Sequence, residues 1–273
     1  MNKFRILSTL QKMKLIFNKP GKVLNSGIMA QQDDLFKRQI GIDYNMEKLP
    51  TIDLLDLFPN LEGKIDCYSF LEGTSLITDI LLLKKFASQF DSCKYLEIGS
   101  WRGESIANIS ENAAHCTTIN LPKEEMINMN FKKEFIDLHG FFSKNLKNVR
   151  GIMHNSKTFN FNELDHDYNL IFIDGDHSYE GVLNDTKKTF NLRKDDKSII
   201  VWHDYGYSPE RVRFSTLKAI LDGVPASNHK NLYHVSNTLC AVYIENCNLP
   251  TYFTEFPSTP NKKFSLTIQT VRI

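Results

Sequence analysis

The stretch that decides the fold is residues 95–105, with the sequence YLEIGSWRGES. An apolar run with strand character ends at Ile98, and a helical pattern begins at Glu104. Gly99 and Gly103 lie between them, and glycine permits both a tight turn and a close approach of a ligand to the backbone. Ligands of doubly wound sheets bind beyond the carboxyl ends of the strands. The stretch therefore predicts a ligand-binding turn, with an ordinary strand-to-helix connection as the alternative, and its spacing differs from the G-x-G-x-x-G dinucleotide fingerprint.

Short apolar runs alternate with helical patterns along the rest of the chain. We predict strands over residues 95–98, 116–120, 149–154, 169–174, 198–202, 238–244 and 264–271. We predict helices over residues 74–90, 104–112, 124–142, 179–192 and 211–221. Because most of the strands are apolar and separated by helices, they favour an α/β fold with a doubly wound, mostly parallel sheet covered on both faces. The last two strands have no helix between them, which indicates an antiparallel hairpin at one edge.

The composition is that of an ordinary globular protein. The 273 residues include 33 Lys and Arg against 32 Asp and Glu, and this balance argues against a dedicated nucleic-acid binder. The five cysteines form no CxxC motif, so we expect neither a disulfide framework nor a cysteine zinc site. The longest apolar runs are too short to span a bilayer, and residues 1–17 lack the pattern of a signal peptide. We therefore expect a cytoplasmic protein.

The N-terminal part, residues 1–63, is predicted to be a helical extension of the domain that follows over residues 64–273. Its first 22 residues contain six basic residues and no acidic residue, interleaved with apolar side chains. This pattern indicates a basic amphipathic helix, which either makes peripheral contact with an anionic membrane or a partner, or packs on the protein's own core. Pro20 and Gly21 interrupt the pattern.

Two acidic motifs follow neighbouring predicted strands. Asp174, Asp176 and His177 lie just after one strand, and His203 and Asp204 lie just after the next. If the strands are neighbours in a parallel sheet, their ends lie ~5 Å apart. Two carboxylates and an imidazole then predict a site for Mg²⁺, Mn²⁺ or Fe²⁺ formed by Asp174, His203 and Asp204. The alternative is turn chemistry, with Asp176 as a helix cap.

Two further polar positions lie at the ends of other predicted strands. Asn120 lies 23 residues beyond Glu97, near the position where an acidic residue commonly binds ribose hydroxyls. Its amide can still donate and accept hydrogen bonds, or it can be a turn residue. Asn155 and Ser156 follow the next predicted strand and either contact a purine edge or are ordinary loop residues.

Residues 94–205 resemble class I S-adenosylmethionine-dependent methyltransferases, in the branch near the macrocin and sugar O-methyltransferases. The segments that carry the resemblance are residues 95–105, residues 172–177 with the sequence FIDGDH, and residues 201–205 with the sequence VWHDY. The resemblance implies a Rossmann-like methyltransferase fold with seven strands, the last one antiparallel. Residues 64–273 are accordingly expected to form a methyltransferase-like domain.

The resemblance also implies roles for the residues of these motifs. The residues expected to bind the cofactor S-adenosylmethionine are Glu97, Gly99, Ser100, Gly103, Asn120, Asn155, Ser156 and Asp174. Asp174, His203 and Asp204 would hold Mg²⁺ or another divalent metal, Asp176 would be the general base, and His177 is grouped with it as catalytic. The chain departs from the family in three places: Asn120 replaces an acid, His203 stands where an acid is common, and residues 193–197 replace a glycine-rich turn.

The leading functional hypothesis is methylation of a hydroxyl on a sugar or small metabolite, an activity of the EC 2.1.1 type. A divalent metal would lower the hydroxyl pKa and Asp176 would accept the proton. One alternative is an iron-dependent hydroxylase-like enzyme that uses Asp174, His203 and Asp204. Another is a non-catalytic cofactor-binding module docked to a membrane or partner. We expect a small-molecule or glycan acceptor and no nucleic-acid partner, and the sequence leaves homo-oligomer formation open.

Overall fold

The computed structural model describes residues 20–165 and 167–273, so most of the predicted amphipathic segment over residues 1–22 lies outside the described residues. The helices are α1 (Pro20–Tyr44), α2 (Leu54–Leu57), α3 (Ile77–Ala87), α4 (Glu104–Ile109), α5 (Lys123–Asn128), α6 (Lys133–Asp137), α7 (Tyr179–Thr189) and α8 (Phe214–Gly223). The strands are β1 (Thr51–Ile52), β2 (Lys94–Ile98), β3 (His115–Asn120), β4 (Val149–Met153), β5 (Leu170–Ile173), β6 (Ile199–Trp202), β7 (Gly206–Ser208), β8 (Arg211–Val212), β9 (Leu232–Val235), β10 (Ala241–Tyr243) and β11 (Thr251–Tyr252).

Nine of these strands form one sheet in the order β11-β1-β9-β10-β6-β5-β2-β3-β4. From β6 to β4 every pair is parallel, whereas β10 is antiparallel to both β6 and β9. The predicted α/β fold with a doubly wound, mostly parallel sheet is confirmed. Six of the seven predicted strands are present, as β2, β3, β4, β5, β6 and β10, whereas β1, β9 and β11 of this sheet were not predicted. Strand order reverses at β2, which pairs with β3 on one side and β5 on the other.

The prediction of a closing hairpin between residues 238–244 and 264–271 is wrong in its second strand. β10 pairs instead with β9, which precedes it in the chain. All four residues of β9 are buried, so it lacks the alternation by which a half-buried strand is recognised. The segment 264–271 alternates apolar and polar residues, but Leu266 and Ile268 stay more than 60% exposed and form no strand.

Two helix predictions are corrected by local geometry. The helix predicted over residues 124–142 is divided into α5 and α6, with Asn130 between them at φ 61°. A left-handed residue ends a helix, and Asn tolerates that conformation. The helix predicted from residue 211 begins at Phe214, because Arg211 and Val212 pair with β7.

The two faces of the sheet bury two separate apolar clusters. Leu96 and Ile171 point to the face covered by α7 and α8, and Tyr95 and Phe172 point to the face covered by α3 and α4. The described part of the N-terminal extension joins this architecture, since α1 packs on α8 and β1 pairs with β9. The boundary between residues 63 and 64 stays a prediction. Over the residues that the structure describes, none of the helices is long and apolar enough to cross a bilayer.

Candidate functional site at the carboxyl ends of the strands

The turns after β2 and β5 contact each other at the point where strand order reverses. Gly99, the first residue after β2, has φ +81°, and a Cβ atom there would collide with the carbonyl oxygen of Asp174 and lie 2.6 Å from the Cα of Gly175. Only glycine fits both the left-handed backbone and the contact. The first two sequence motifs therefore meet in one place.

Asn120 fixes the glycine turn from the neighbouring strand. Its Oδ1 accepts hydrogen bonds from the backbone N–H of Ser100 (2.8 Å) and from the Ser100 hydroxyl (3.0 Å). Its Nδ2 donates to the Thr118 hydroxyl at 3.2 Å. The structure thus brings Asn120 to the turn, as expected from its position, and its contact with a ribose stays a prediction.

Glu97 supports the same turn from beneath. Its carboxyl group is fully buried and accepts hydrogen bonds from the hydroxyl groups of Tyr95 (2.6 Å) and Ser105 (2.7 Å). Burial raises the pKa of Glu97 to about 8, and the two hydrogen bonds oppose that rise only partly. This group therefore exchanges its proton near neutral pH, far above the usual carboxyl range.

A segment that the sequence analysis did not connect with the site covers the glycine turn. Backbone N–H groups of Gly140 and Phe142 donate to the carbonyl oxygens of Trp101 (2.6 Å) and Arg102 (2.8 Å). Gly103 has φ +85°, and a Cβ atom there would lie 2.8 Å from the Ser143 hydroxyl oxygen. This covering segment, residues 140–143, follows α6. The helical pattern of the sequence there did not indicate that the segment contacts the glycine turn.

His177 and Asp204 form a close pair across the ends of β5 and β6. Nδ1 of His177 lies 2.7 Å from Oδ2 of Asp204, and Nη1 of Arg213 lies 3.4 Å from the same oxygen. The hydrogen bond to Asp204 raises the pKa of His177, with burial acting against it. Burial would raise the pKa of Asp204, but the partners His177, His203 and Arg213 outweigh it and lower that pKa to about 2.

His203 lies between two carboxylates. Its Nε2 is 3.1 Å from Oδ2 of Asp79, and its Nδ1 is 3.0 Å from Oδ1 of Asp174. Burial alone would lower the pKa of His203, but the two carboxylates outweigh it and raise that pKa well above its usual value. Nε2 is hydrogen-bonded to Asp79, whereas the buried Nδ1 lies close to Asp174 and has no hydrogen-bond partner among the described residues.

The described residues that could hold a metal differ in one member from the predicted set. Ligand atoms of Asp174, His177 and Asp204 all lie within 4.8 Å of one another. The predicted set has His203 in place of His177. His203 also lies close to both carboxylates, with its Nδ1 3.0 Å from Oδ1 of Asp174 and 3.6 Å from Oδ1 of Asp204, so the predicted set stays a prediction.

Asp176, predicted as the general base, is engaged on both carboxyl oxygens. Oδ2 accepts a hydrogen bond from Nζ of Lys157 at 2.7 Å, and Oδ1 accepts one from the backbone N–H of Ser178 at 2.9 Å. Partial burial would raise its pKa, but the bonds from Lys157 and Ser178 outweigh it and lower that pKa. The alternative prediction, that Asp176 caps the following helix, is wrong: the N-cap of α7 is Ser178, whose hydroxyl accepts a hydrogen bond from the Gly181 N–H at 3.1 Å.

Residues 96–205 match the family model described as "Methyltransferase domain". The matched region runs from β2 to the first residues after β6, so it contains both the glycine turn and the acidic motifs. An uncharacterized protein of Acanthamoeba polyphaga mimivirus is 26% identical over 140 residues, which is 47% of this chain and 61% of that protein. The chain therefore spans less than two thirds of that relative.

Solved structures of methyltransferases are similar at low identity. A Podospora anserina methyltransferase with bound S-adenosylhomocysteine is 16% identical, with a TM-score of 0.43, and the alignment covers 63% of this chain and 80% of that one. An O-methyltransferase from Bacillus cereus in complex with the same molecule is 12% identical, with a TM-score of 0.45, over 70% of this chain and 87% of that one. Likeness at this level carries no argument about chemistry.

The predicted purine-contacting residues, Asn155 and Ser156, follow the edge strand β4 of the matched region. Nδ2 of Asn155 donates to Oε2 of Glu125 at 2.7 Å, and the backbone carbonyl of Ser156 accepts from Nζ of Lys188 at 2.9 Å. Both residues follow β4, as expected, and their contact with an adenine ring stays a prediction. Glu125, in the first turn of α5, was missed because an acid there is typical of any helix N-terminus.

Asp79 is the other residue that sequence reasoning missed. It lies in the first turn of α3, fully buried, more than a hundred residues from the His203 that it contacts. Its only sequence signal was an acidic residue in the first helical turn, which is common. A charged residue with no exposed surface is unusual and needs a partner.

Proposed function

We propose that this protein is a methyltransferase of the EC 2.1.1 type that transfers a methyl group from S-adenosylmethionine to a hydroxyl of a sugar or other small metabolite. The observation that carries the proposal is the pairing of His177 with Asp204 beside Asp174, at strand ends inside the matched methyltransferase domain. The glycine turn touches this group through Gly99 and Asp174.

The glycine turn fits a cofactor that lies against the backbone. A side chain at Gly99 would occupy the space between the turns after β2 and β5. Strand order reverses at this point of the sheet, which is where ligands of doubly wound folds bind. The buried indole N–H of Trp101, in the same turn, has no hydrogen-bond partner within the described residues. When bound, S-adenosylmethionine would supply an electrophilic methyl group on a sulfonium sulfur.

His177 is better placed than Asp176 to accept the proton of the acceptor hydroxyl. The bond from Nδ1 to Asp204 fixes the ring and leaves Nε2 as an acceptor on a side chain that is half exposed. Asp176 is held as a carboxylate by Lys157, and its lowered pKa makes it a weak base. In the proposed step the acceptor oxygen bonds to the methyl carbon, the carbon–sulfur bond breaks, and the proton moves to Nε2.

The same group of residues fits a divalent metal. Two carboxylates and an imidazole with ligand atoms within 4.8 Å suit Mg²⁺, Mn²⁺ or Fe²⁺. In this second form of the proposal Asp174, Asp204 and His177 would hold the ion, which would lower the pKa of a bound hydroxyl, and His177 would then not be the base. The iron-dependent hydroxylase hypothesis relies on His203, whose Nε2 is hydrogen-bonded to Asp79, and it is the less favoured alternative.

The acceptor is proposed to bind next to Asp204, where Arg213 and Tyr207 lie. The Arg213 guanidinium is 4.7 Å from the centre of the Tyr207 ring and 3.4 Å from Oδ2 of Asp204. An aromatic face beside a cation suits a sugar or an anionic group. A cytoplasmic location and peripheral membrane contact through residues 1–22 remain part of this proposal.

Calorimetric titration with S-adenosylhomocysteine tests the proposed function. We expect saturable binding of one molecule per chain in EDTA, since the glycine turn does not depend on the metal. A second titration with added Mg²⁺ measures how far a metal contributes. If neither titration shows binding, the methyltransferase proposal is wrong and a non-catalytic module becomes the better explanation.

A further inference from the structure

Asp79 connects three separate elements through one buried carboxyl group. Oδ2 accepts hydrogen bonds from the backbone N–H of Leu76 (2.9 Å) and from Nε2 of His203 (3.1 Å). Oδ1 accepts from the backbone N–H of Leu239 at 2.9 Å. The two backbone bonds fix the carboxyl group to the start of α3 and to the turn between β9 and β10. Its position is therefore set by the scaffold and not by the strand-end site.

His203 transmits that fixed position to the site. Its side chain is 9% exposed, and its second nitrogen lies 3.0 Å from Oδ1 of Asp174. The hydrogen bond to Asp79 sets the orientation of the ring, and that orientation sets where Nδ1 lies against the Asp174 carboxylate. The Asp174 side chain is 19% exposed at the strand-end site. Side-chain contacts thus connect Asp79, in the first turn of α3, to His203 and then to Asp174 at the strand-end site.

We propose that Asp79 is a positioning residue, which holds the His203 ring and through it the orientation of the Asp174 carboxylate. Asp79 itself is fully buried, so it has no surface exposed at the strand-end site. The consequence for cofactor affinity rests on the proposed function, whereas the consequence for the His203 ring does not.

The test compares Asp79→Asn with a matched control on the same helix turn. Asn keeps one oxygen for the Leu239 N–H and replaces Oδ2, which accepts from the Leu76 N–H and from Nε2 of His203, with an amide –NH₂ group. The control is Thr78→Val, which removes the hydrogen bond from the Thr78 hydroxyl to the Asn237 carbonyl (2.7 Å) in the same β9–β10 turn. The imidazole ¹⁵N signals of His203, assigned with His203→Gln, are recorded for each variant. We expect Asp79→Asn to shift the Nε2 and Nδ1 signals and Thr78→Val to leave them in place.

A double-mutant cycle then separates positioning from simple loss of stability. We expect Asp79→Asn to weaken S-adenosylhomocysteine binding by about tenfold in the otherwise unchanged protein. In a protein that already carries His203→Gln we expect little further effect, because Asp79 acts on the site only through His203. An equal effect in both backgrounds, or unmoved His203 signals, would overturn the proposal. If the natural protein binds no S-adenosylhomocysteine, the proposed function fails while the ¹⁵N signals still decide whether Asp79 holds His203. Asp79→Ser replaces Asp79→Asn if the latter does not fold.

Discussion

Nδ1 of His177 lies 2.7 Å from Oδ2 of Asp204 and joins the loops that follow β5 and β6. The two residues are 27 positions apart in the chain, since His177 and Asp204 follow different strands. The carboxylate fixes the ring and, in the proposed function, would stabilise the imidazolium that forms when His177 accepts a proton.

His177→Gln is expected to reduce turnover by about 10²–10⁴-fold and to leave S-adenosylhomocysteine affinity nearly unchanged, because it removes only the proton acceptor. Methyl transfer to a panel of sugars and small hydroxylated metabolites measures the first effect, and calorimetry measures the second. Asp176→Asn is the comparison, and we expect a much smaller loss since Lys157 already occupies that carboxylate. The reverse ranking would restore Asp176 as the general base.

Glu97 is expected to make the protein less stable as the pH rises through neutrality. Its pKa is about 8 in the folded protein against an ordinary 4.5, so the folded state binds the proton more tightly than the unfolded state. That stabilisation is complete below pH 4.5 and is lost as the pH rises to 8, with a slope of up to about 1.4 kcal/mol per pH unit. Urea unfolding between these pH limits should show that the free energy of unfolding depends less on pH in Glu97→Gln than in the natural protein. The same dependence on pH in both proteins would contradict the prediction.

Gly99→Ala is expected to destabilise the protein by about 1–3 kcal/mol and to abolish S-adenosylhomocysteine binding, because the backbone is left-handed and the Cβ atom meets Asp174. The matched control is Gly151→Ala in β4, where a Cβ atom would lie 3.8 Å from the Thr118 hydroxyl, an ordinary contact. Thermal unfolding and calorimetry compare the two variants. Equal thermal stability and equal S-adenosylhomocysteine affinity of the two variants would show that the turn does not need glycine at position 99.

Asp204→Asn is expected to weaken Mn²⁺ binding, because it removes the carboxylate shared by the three-residue set Asp174, His177 and Asp204. Electron paramagnetic resonance of free Mn²⁺ during a titration gives the affinity directly. Asp176→Asn serves as the control, since Asp176 lies outside that set and pairs with Lys157. Identical Mn²⁺ affinity in all three proteins would remove the metal from the proposed site.

The central strands were predictable because each is a buried apolar run bounded by polar residues. Residues 95–98 and 169–174 were expected as strands, and the structure has Lys94–Ile98 and Leu170–Ile173. Parallel strands buried on both faces produce such runs. β1 and β9 were not predicted, because a strand of two residues, or a buried one containing His234, has no periodic signal.

The sequence by itself determined the central strands of the sheet, the glycine turn and the two acidic loops, since apolar runs and their polar ends are local properties of the chain. Tertiary structure alone decided which partner each site residue has. Asp79 reaches His203, Lys157 reaches Asp176, and the pairing of residues 264–271 did not occur. A hydrogen bond or ion pair depends on positions within a few tenths of an ångström, and those are set only when distant elements pack against each other.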